Sequence, residues 1–259
     1  MTLKIAVLVK QVPDHEAQVT VRSEQQLDIE NRYCCSFFDE IAIEAALSLQ
    51  KAHPGSEVTA LSAGGRRATD ALRRAIAMGI DKVEQLGDES LEAADSLLVA
   101  RVLAARLKAL APDLILAGKQ AGDDDQAAVG PMVAQLLGIA HASAVVTIAV
   151  DAAGAVTLGR KVEGEIWTLQ GPLPVLVTAE KGLAEPHVPV VTRVMKAMKA
   201  KIDSLPLKEL GIAAIDSASR VARVRYLSPP TRRPVTMITK DFPENVAELV
   251  RCLQGSGVL

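Results

Sequence analysis

The sequence predicts an α/β fold: a mostly parallel sheet with helices on both faces, antiparallel hairpin additions and an extended C-terminal arm. Two observations carry this. Short apolar, β-branched runs alternate with longer amphipathic segments as far as Thr178, as strand-helix-strand units do. Glycine also stands where helices should stop, in Met78-Gly79 and Leu137-Gly138, offering the left-handed residue that a helix end favours. At 259 residues the chain exceeds the ~100–200 typical of one domain, so a large domain with an appendage, or two domains, is expected.

Strands are expected at Ile5–Val9, Glu57–Leu61, Lys82–Gln85, Leu114–Ala117 and Pro174–Thr178. Helices are expected at Phe38–Lys51, Ala68–Met78, Leu91–Leu110 and Ala127–Leu137. In the first helix Ile41, Ala45, Leu47 and Leu49 form the apolar face, flanked by Glu40 and Glu44. From Val145 the rhythm changes to Val145–Val150, Ala155–Lys161 and Glu165–Leu169, separated by Asp151-Ala-Ala-Gly154 and Glu163-Gly164, which reads as hairpins. A loop-like Glu180–Thr192 leads to a short basic helix around Val194–Ala200. Prolines in Leu205-Pro206, Ser228-Pro229-Pro230 and Arg233-Pro234 then punctuate an extended tail that ends in an amphipathic helix, Glu244–Leu253. The expected division is 1–205 for the α/β domain and 206–259 for the arm.

Composition excludes several classes. The chain is 49% hydrophobic and 23% charged, which rules out disorder. Six aromatic residues and a net charge of −2 give neither a stacking platform nor a field for nucleic acid. The longest apolar run, Ala142–Val150, contains Ser143 and Thr147 and is far short of the ~18 residues of a membrane helix. Met1 leads directly into the first strand without a signal-peptide pattern, and three cysteines make no disulfide framework, so a cytoplasmic location is expected. Charge is unevenly placed: from Arg193 to Arg233 ten basic residues stand against Asp203, Glu209 and Asp216, a net +7 that leaves −9 elsewhere.

In an open parallel sheet, ligands bind beyond the carboxyl ends of the strands. Three loops qualify: Lys10-Gln11-Val12-Pro13-Asp14, Ser62-Ala63-Gly64-Gly65, and Gly118-Lys119-Gln120-Ala121-Gly122-Asp123-Asp124-Asp125. The first lacks G-x-G-x-x-G, and the third is no Walker motif, because Gln120 stands where Ser or Thr would hold magnesium. Asp123, Asp124 and Asp125 read first as caps of the following helix and only second as cation ligands. The adjacent Cys34 and Cys35 read as buried inert thiols before a redox pair. His15, His53, His141 and His187 sit in unrelated contexts, so no catalytic triad or zinc site is suggested. Met195 and Met198 beside Lys196, Lys199 and Lys201 tilt the basic helix toward a protein contact.

Seven segments together resemble one family over essentially the whole chain. They are Val9-Lys10-Gln11-Val12-Pro13-Asp14, Asp39-Glu40-Ile41-Ala42-Ile43-Glu44-Ala45-Ala46, Ala75-Ile76-Ala77-Met78-Gly79, Gly118-Lys119-Gln120-Ala121 with Asp123-Asp124-Asp125, Leu173-Pro174-Val175-Leu176-Val177-Thr178-Ala179, Glu185-Pro186 and Met195-Lys196-Ala197. In these the chain resembles the small (beta) subunit of electron-transfer flavoproteins. The resemblance implies a Rossmann-like domain that buries an adenine nucleotide, usually AMP, and packs through its C-terminal arm on a larger alpha subunit carrying most of the redox FAD site. Electrons would pass from flavin dehydrogenases, of acyl-CoA or methylated-amine type, to that FAD and on to a membrane quinone reductase, with no side chain of this subunit acting as a catalyst.

Carried over by position, the nucleotide pocket comprises Leu8, Ser36, Phe37, Phe38, Asp39, Ala63, and Gly118, Lys119, Gln120, Ala121, Gly122, Asp123, Asp124, Asp125, Gln126, Ala127, Ala128 and Val129. The family often has polar residues at Ala127, Ala128 and Val129, so backbone amides become the main phosphate donors here. Gln11-Val12-Pro13-Asp14 and Val129-Gly130-Pro131 are similar to the nitrogen-fixation-associated and electron-bifurcating branch, in which the pocket holds a second FAD. Trp167 stands at a flavin-proximal strand position where the family often has Glu. The resemblance assigns partner recognition to the segment 179–201 through Glu185, Pro186, Val191, Lys196 and Lys199, with Val191 as the apolar anchor where Leu is common. A standalone adenine-nucleotide-binding module, or a nucleotide hydrolase, is the alternative from another class; the first has no need of the tail, and the second needs a nucleophile or metal set.

Overall fold

The computed structural model describes residues 1–211, 218–232 and 234–259. Arg233 and Asp216, counted above in the basic stretch, lie outside the described residues. Among the described residues the sheet has nine strands, and its centre is parallel: β12 (Val175–Ala179), β8 (Leu114–Gly118), β1 (Lys4–Leu8), β6 (Glu57–Ala63) and β7 (Lys82–Leu86), in that order. Every residue of β1 from Ile5 to Leu8 is buried, as expected of a strand covered on both faces. Side chains alternate accordingly. Ile5, Val7, Leu114 and Leu116 face α1 (Phe37–Ala52) and α2 (Ala68–Met78), while Ala6, Leu8 and Ile115 face α3 (Ser96–Leu110) and α4 (Val129–Leu137). The first face is tied by a two-pronged ion pair, Arg74 to Glu40 at 2.8 and 2.9 Å, which joins α2 to α1.

β1 lies between β6 and β8, and the chain reaches these neighbours by crossovers on opposite faces. That is a topological switch point, where loops diverge and leave a crevice above the strand ends.

The sheet is extended at one side by β9 (Ala140–Val150), β10 (Ala155–Val162) and β11 (Glu165–Pro172). β9 begins five residues before the expected Val145, because its first half pairs parallel with β12 and only its second half pairs antiparallel with β10. At the far side β13 (Ser204–Leu205) pairs parallel with β7. Two small antiparallel pairs had no counterpart in the sequence reading: β2 (Gln11–Pro13) with β5 (Tyr33–Cys35), and β3 (Val19–Ser23) with β4 (Gln26–Ile29).

Three helix expectations are corrected. The segment Leu91–Leu110 is broken into a 3-10 turn at Glu89–Leu91 and α3 from Ser96, because Asp95 accepts the Leu98 N–H at 2.8 Å and so caps a new start. The helix expected from Ala127 begins at Val129, since Asp125 and Ala127 have φ of 50° and 52°. The basic helix, α5, runs Val191–Lys199 and is closed by Arg73, which donates to the carbonyls of Ala197, Met198 and Ala200. Among the described residues none from 218 onward is buried, although the last helix, α6 (Glu244–Gly255), forms where expected.

Candidate functional site

Three chain segments meet above β1 and β8. The peptide after β1 runs through Val9 and Lys10, that after β8 through Lys119, and the first turn of α1 inserts between them. Asp39 in that turn is the fastener: Oδ2 accepts the Lys10 N–H at 2.7 Å and Oδ1 the Gly118 N–H at 2.9 Å. Gly118 has to be glycine, since a Cβ there would lie 2.3 Å from Asp39 Oδ1 and 2.9 Å from the Asp39 backbone nitrogen. Burial pushes the Asp39 carboxyl up to about 7, against the pull of its two N–H donors and of Lys10.

A cavity of about 270 Å³ opens beside this junction. Of the residues assigned to the nucleotide pocket, Leu8, Asp39, Ala63, Gly118, Lys119, Gln120, Ala121, Asp123, Asp124, Gln126, Ala127, Ala128 and Val129 line it. Ser36, Phe37, Phe38, Gly122 and Asp125 do not. Ser36 is buried behind the turn, Phe37 is exposed with Phe38 edge-on beside it, and Gly122 lies against His15. Asp125 holds the Gln120 side-chain amide at 2.7 Å.

The acidic triplet neither caps α4 nor gathers as a metal site. Lys10 Nζ reaches Asp123 at 2.7 Å and Asp124 at 2.9 Å; burial alone would lower this ammonium, but the two carboxylates outweigh it and hold its pKa raised. The α4 N-terminus therefore lacks a side-chain cap at Ala128. Ala127 in the left-handed region followed by Ala128 in the right-handed one turns successive N–H groups to the same side, a backbone nest suited to an anion. Gly130 lets α4 sit low on the sheet, because a Cβ there would meet Thr178 Cγ2 at 2.7 Å.

The remaining wall was missed in the sequence. Leu91, Glu92 and Ala94 line the cavity with Ser96, Val99 and Leu103, and the last three share one face of α3 at i, i+3, i+7 spacing, the signal that could have found them. Lys10 and Arg223 also line it.

The partner-binding assignments lie elsewhere, on α5 and the loop before it. Val191 is 76% exposed at the first turn, with Val188, Val190, Met195 and Met198 also exposed, while Ala197 packs on Ile76 and Ala77. Glu185 is exposed and Pro186 half-buried; the loop is anchored by His187, whose backbone and ring both meet Glu44. Lys196 is tied to Asp81 at 2.6 Å, beside Arg193 at 2.7 Å, and these bonds hold the Asp81 carboxyl below its ordinary value. Burial pushes the Cys34 thiol up and the Cys35 thiol well up, so neither is readily the thiolate that redox chemistry uses. Among the described residues no helix is long and apolar enough to cross a membrane.

The family profile of the electron transfer flavoprotein domain matches residues 29–210. Relatives align nearly end to end. Electron transfer flavoprotein subunit beta of Megasphaera elsdenii is 35% identical over 96% of this chain and 95% of the relative. The Bacillus subtilis protein of the same name is 30% identical over 97% and 98%, and protein FixA of Azorhizobium caulinodans is 32% identical over 93% and 90%. A family match over residues 29–210, from the strand before α1 through α5, together with relatives of 30% identity or more that align nearly end to end and two of which are named subunit beta, shows that the chain belongs to the electron transfer flavoprotein family, among its beta subunits.

Proposed function

We propose that this chain is the small subunit of a heterodimer whose alpha partner carries most of a redox FAD site, and that the cavity above β1 and β8 holds an AMP. One observation carries the nucleotide reading: the cavity lies at the switch point and ends on the backbone nest of Ala127 and Ala128, at an uncapped helix N-terminus. Its volume of about 270 Å³ is at the low end of small-molecule sites, which suits a mononucleotide better than a whole dinucleotide. Both lysines at the floor are already engaged, Lys10 on Asp123 and Asp124 and Lys119 on Glu180 at 2.8 Å, so the site fits binding rather than proton transfer. The FAD supplies the redox chemistry; this chain supplies the seat for the nucleotide and for partner proteins. Flavin dehydrogenases of the acyl-CoA or methylated-amine type would deliver electrons, and a membrane quinone reductase would take them.

The ligand mass released by denaturing the co-expressed heterodimer tests this. One AMP per heterodimer is expected beside one FAD, and Ala128→Glu, which fills the cavity and repels phosphate, is expected to remove the AMP. Two FAD and no AMP would instead support the second-FAD reading, which the Gln11-Val12-Pro13-Asp14 and Val129-Gly130-Pro131 segments favour.

We also assign α5 and its preceding loop to dehydrogenase docking, supported by the exposed Val191, Met195 and Met198. Val191→Ala should slow electron transfer from the dehydrogenase about fivefold, the effect of ~1 kcal/mol at an interface centre. Because Lys196 is held by Asp81, the steering charge falls mainly to Lys199, and Lys199→Gln should lower the association rate and flatten its salt dependence. Neither variant should alter flavin content. Unchanged stopped-flow rates across a salt series for both would sink the assignment.

A further inference from the structure

The C-terminal arm crosses the cavity it follows in sequence. It is pinned at two places. On one side Asp95, the N-cap of α3, takes the N–H groups of Arg220 and Val221 on Oδ2, the latter at 3.0 Å, and donates its own N–H to Ser219 Oγ at 3.0 Å. On the other side the Tyr226 N–H donates to the Glu24 carbonyl at 2.7 Å, on the turn between β3 and β4, and the Arg225 guanidinium stands 4.0 Å from the Glu24 carboxylate. Between these anchors Arg223 lines the cavity.

Its charge is the odd one out. Lys10 and Lys119, the other cations of the lining, are each bound to carboxylates. Arg223 has none among the described residues; it donates to the Tyr226 hydroxyl at 2.8 Å and lies 5.4 Å over the same ring, which orients the guanidinium without neutralising it. Glu92 lines the cavity too, yet forms no ion pair with Arg223. A guanidinium beside a cavity that ends on a backbone nest is complementary to an oxyanion, which accepts from two of its N–H donors at once, and in a nucleotide that oxyanion is a phosphoryl group.

We propose that Arg223 is a phosphate-binding residue of the nucleotide site, supplied by the arm, so that the segment 219–226 straps the ligand into the cavity. This rests on the reading of the cavity as a nucleotide site and adds a residue outside the loops that the sequence assigned to it. It also explains why Asp95 bonds both its own helix and the arm: the α3 cap fixes the height at which the strap crosses.

The experiment uses the heterodimer co-expressed with its alpha subunit, with labelled AMP as the probe, displaced by unlabelled AMP or by adenosine. In Arg223→Gln the preference for AMP over adenosine should fall about tenfold or more, since a charged hydrogen bond to phosphate is lost, while displacement by adenosine is unchanged. Arg223→Lys, which keeps the charge without the fork, should fall between the two. Higher salt should weaken AMP retention less in Arg223→Gln than in the parent. An unchanged AMP-to-adenosine preference in Arg223→Gln overturns the proposal, and so does an unchanged preference in Arg223→Lys if the glutamine variant fails to assemble. Ala128→Glu separates the two layers. If it too retains AMP, the cavity is not the nucleotide site; if it loses AMP while Arg223→Gln behaves as the parent, the cavity reading stands and the role of the arm falls.

Discussion

Replacing Asp39 with alanine is expected to cost the fold about 2–3 kcal/mol, because the Lys10 and Gly118 N–H groups would lose their acceptor, at ~1–1.5 kcal/mol for each half-buried donor. The loss falls on the ends of β1 and β8, so the cavity should lose its nucleotide as well. Asp39→Asn is the milder probe, since the amide keeps one acceptor oxygen and sets its NH2 against the second donor. It also removes a titration. Burial lifts this carboxyl from 3.8 to about 7, so between roughly pH 4 and pH 7 the native state keeps a proton that the unfolded chain has released. Its contribution is complete below the unfolded pKa and is lost as pH rises through the folded one. Over that window stability should fall with rising pH by up to about 1.4 kcal/mol per unit, and that slope should be absent in Asp39→Asn. Thermal melts of parent and variant across the window check this; equal pH slopes for the two would show that Asp39 does not titrate there.

Asp39 also shows where sequence reading succeeds and where it stops. The parallel core was legible because β1, β8 and β12 are dominated by consecutive apolar residues, as strands covered on both faces usually are, and β6 holds an apolar centre between polar ends. The cavity floor was legible through a recognised motif, Gly118-Lys119-Gln120-Ala121, rather than through periodicity. What its acidic residues do was not. Asp123 and Asp124 stand just before a helix, where capping is the usual local use of carboxylates, but Lys10 reaches them across 113 and 114 residues of chain. A long-range ion pair of that kind leaves no trace in local spacing. The same holds for β2 with β5, three residues each, and for the β3–β4 hairpin, whose polar strands bury little and so carry no strong alternation. Arg223 was seen only as part of a basic stretch, since nothing in the sequence says that residue 95 will hold residue 221.

Leu249→Asp in the last helix is expected to weaken assembly of the heterodimer about thirtyfold or more. α6 carries Val246, Leu249, Val250 and Leu253 at i, i+3, i+4 and i+7, the stripe by which a helix docks on an apolar partner. Among the described residues no residue of the stripe is buried: Leu249 is 48% exposed, and Val221, Val224, Leu227, Val235, Met237 and Phe242 along the arm are also exposed. Contiguous apolar surface of this kind marks an interaction site. The alpha subunit is the occupant that the family implies, and an obligate interface of more than ~2,000 Å² would account for an arm with no buried residue among those described. A charge introduced at the centre of the stripe should cost ~2 kcal/mol or more at the interface, about a thirtyfold weakening. Leu249 is half exposed and belongs to none of the buried clusters of the α/β domain, so the stability of that domain should not change. Co-purification of a tagged alpha subunit with the variant, compared with the control Glu244→Gln at the exposed start of the helix, reads the outcome. Equal recovery of both at low protein concentration would mean that α6 is not where the partner binds.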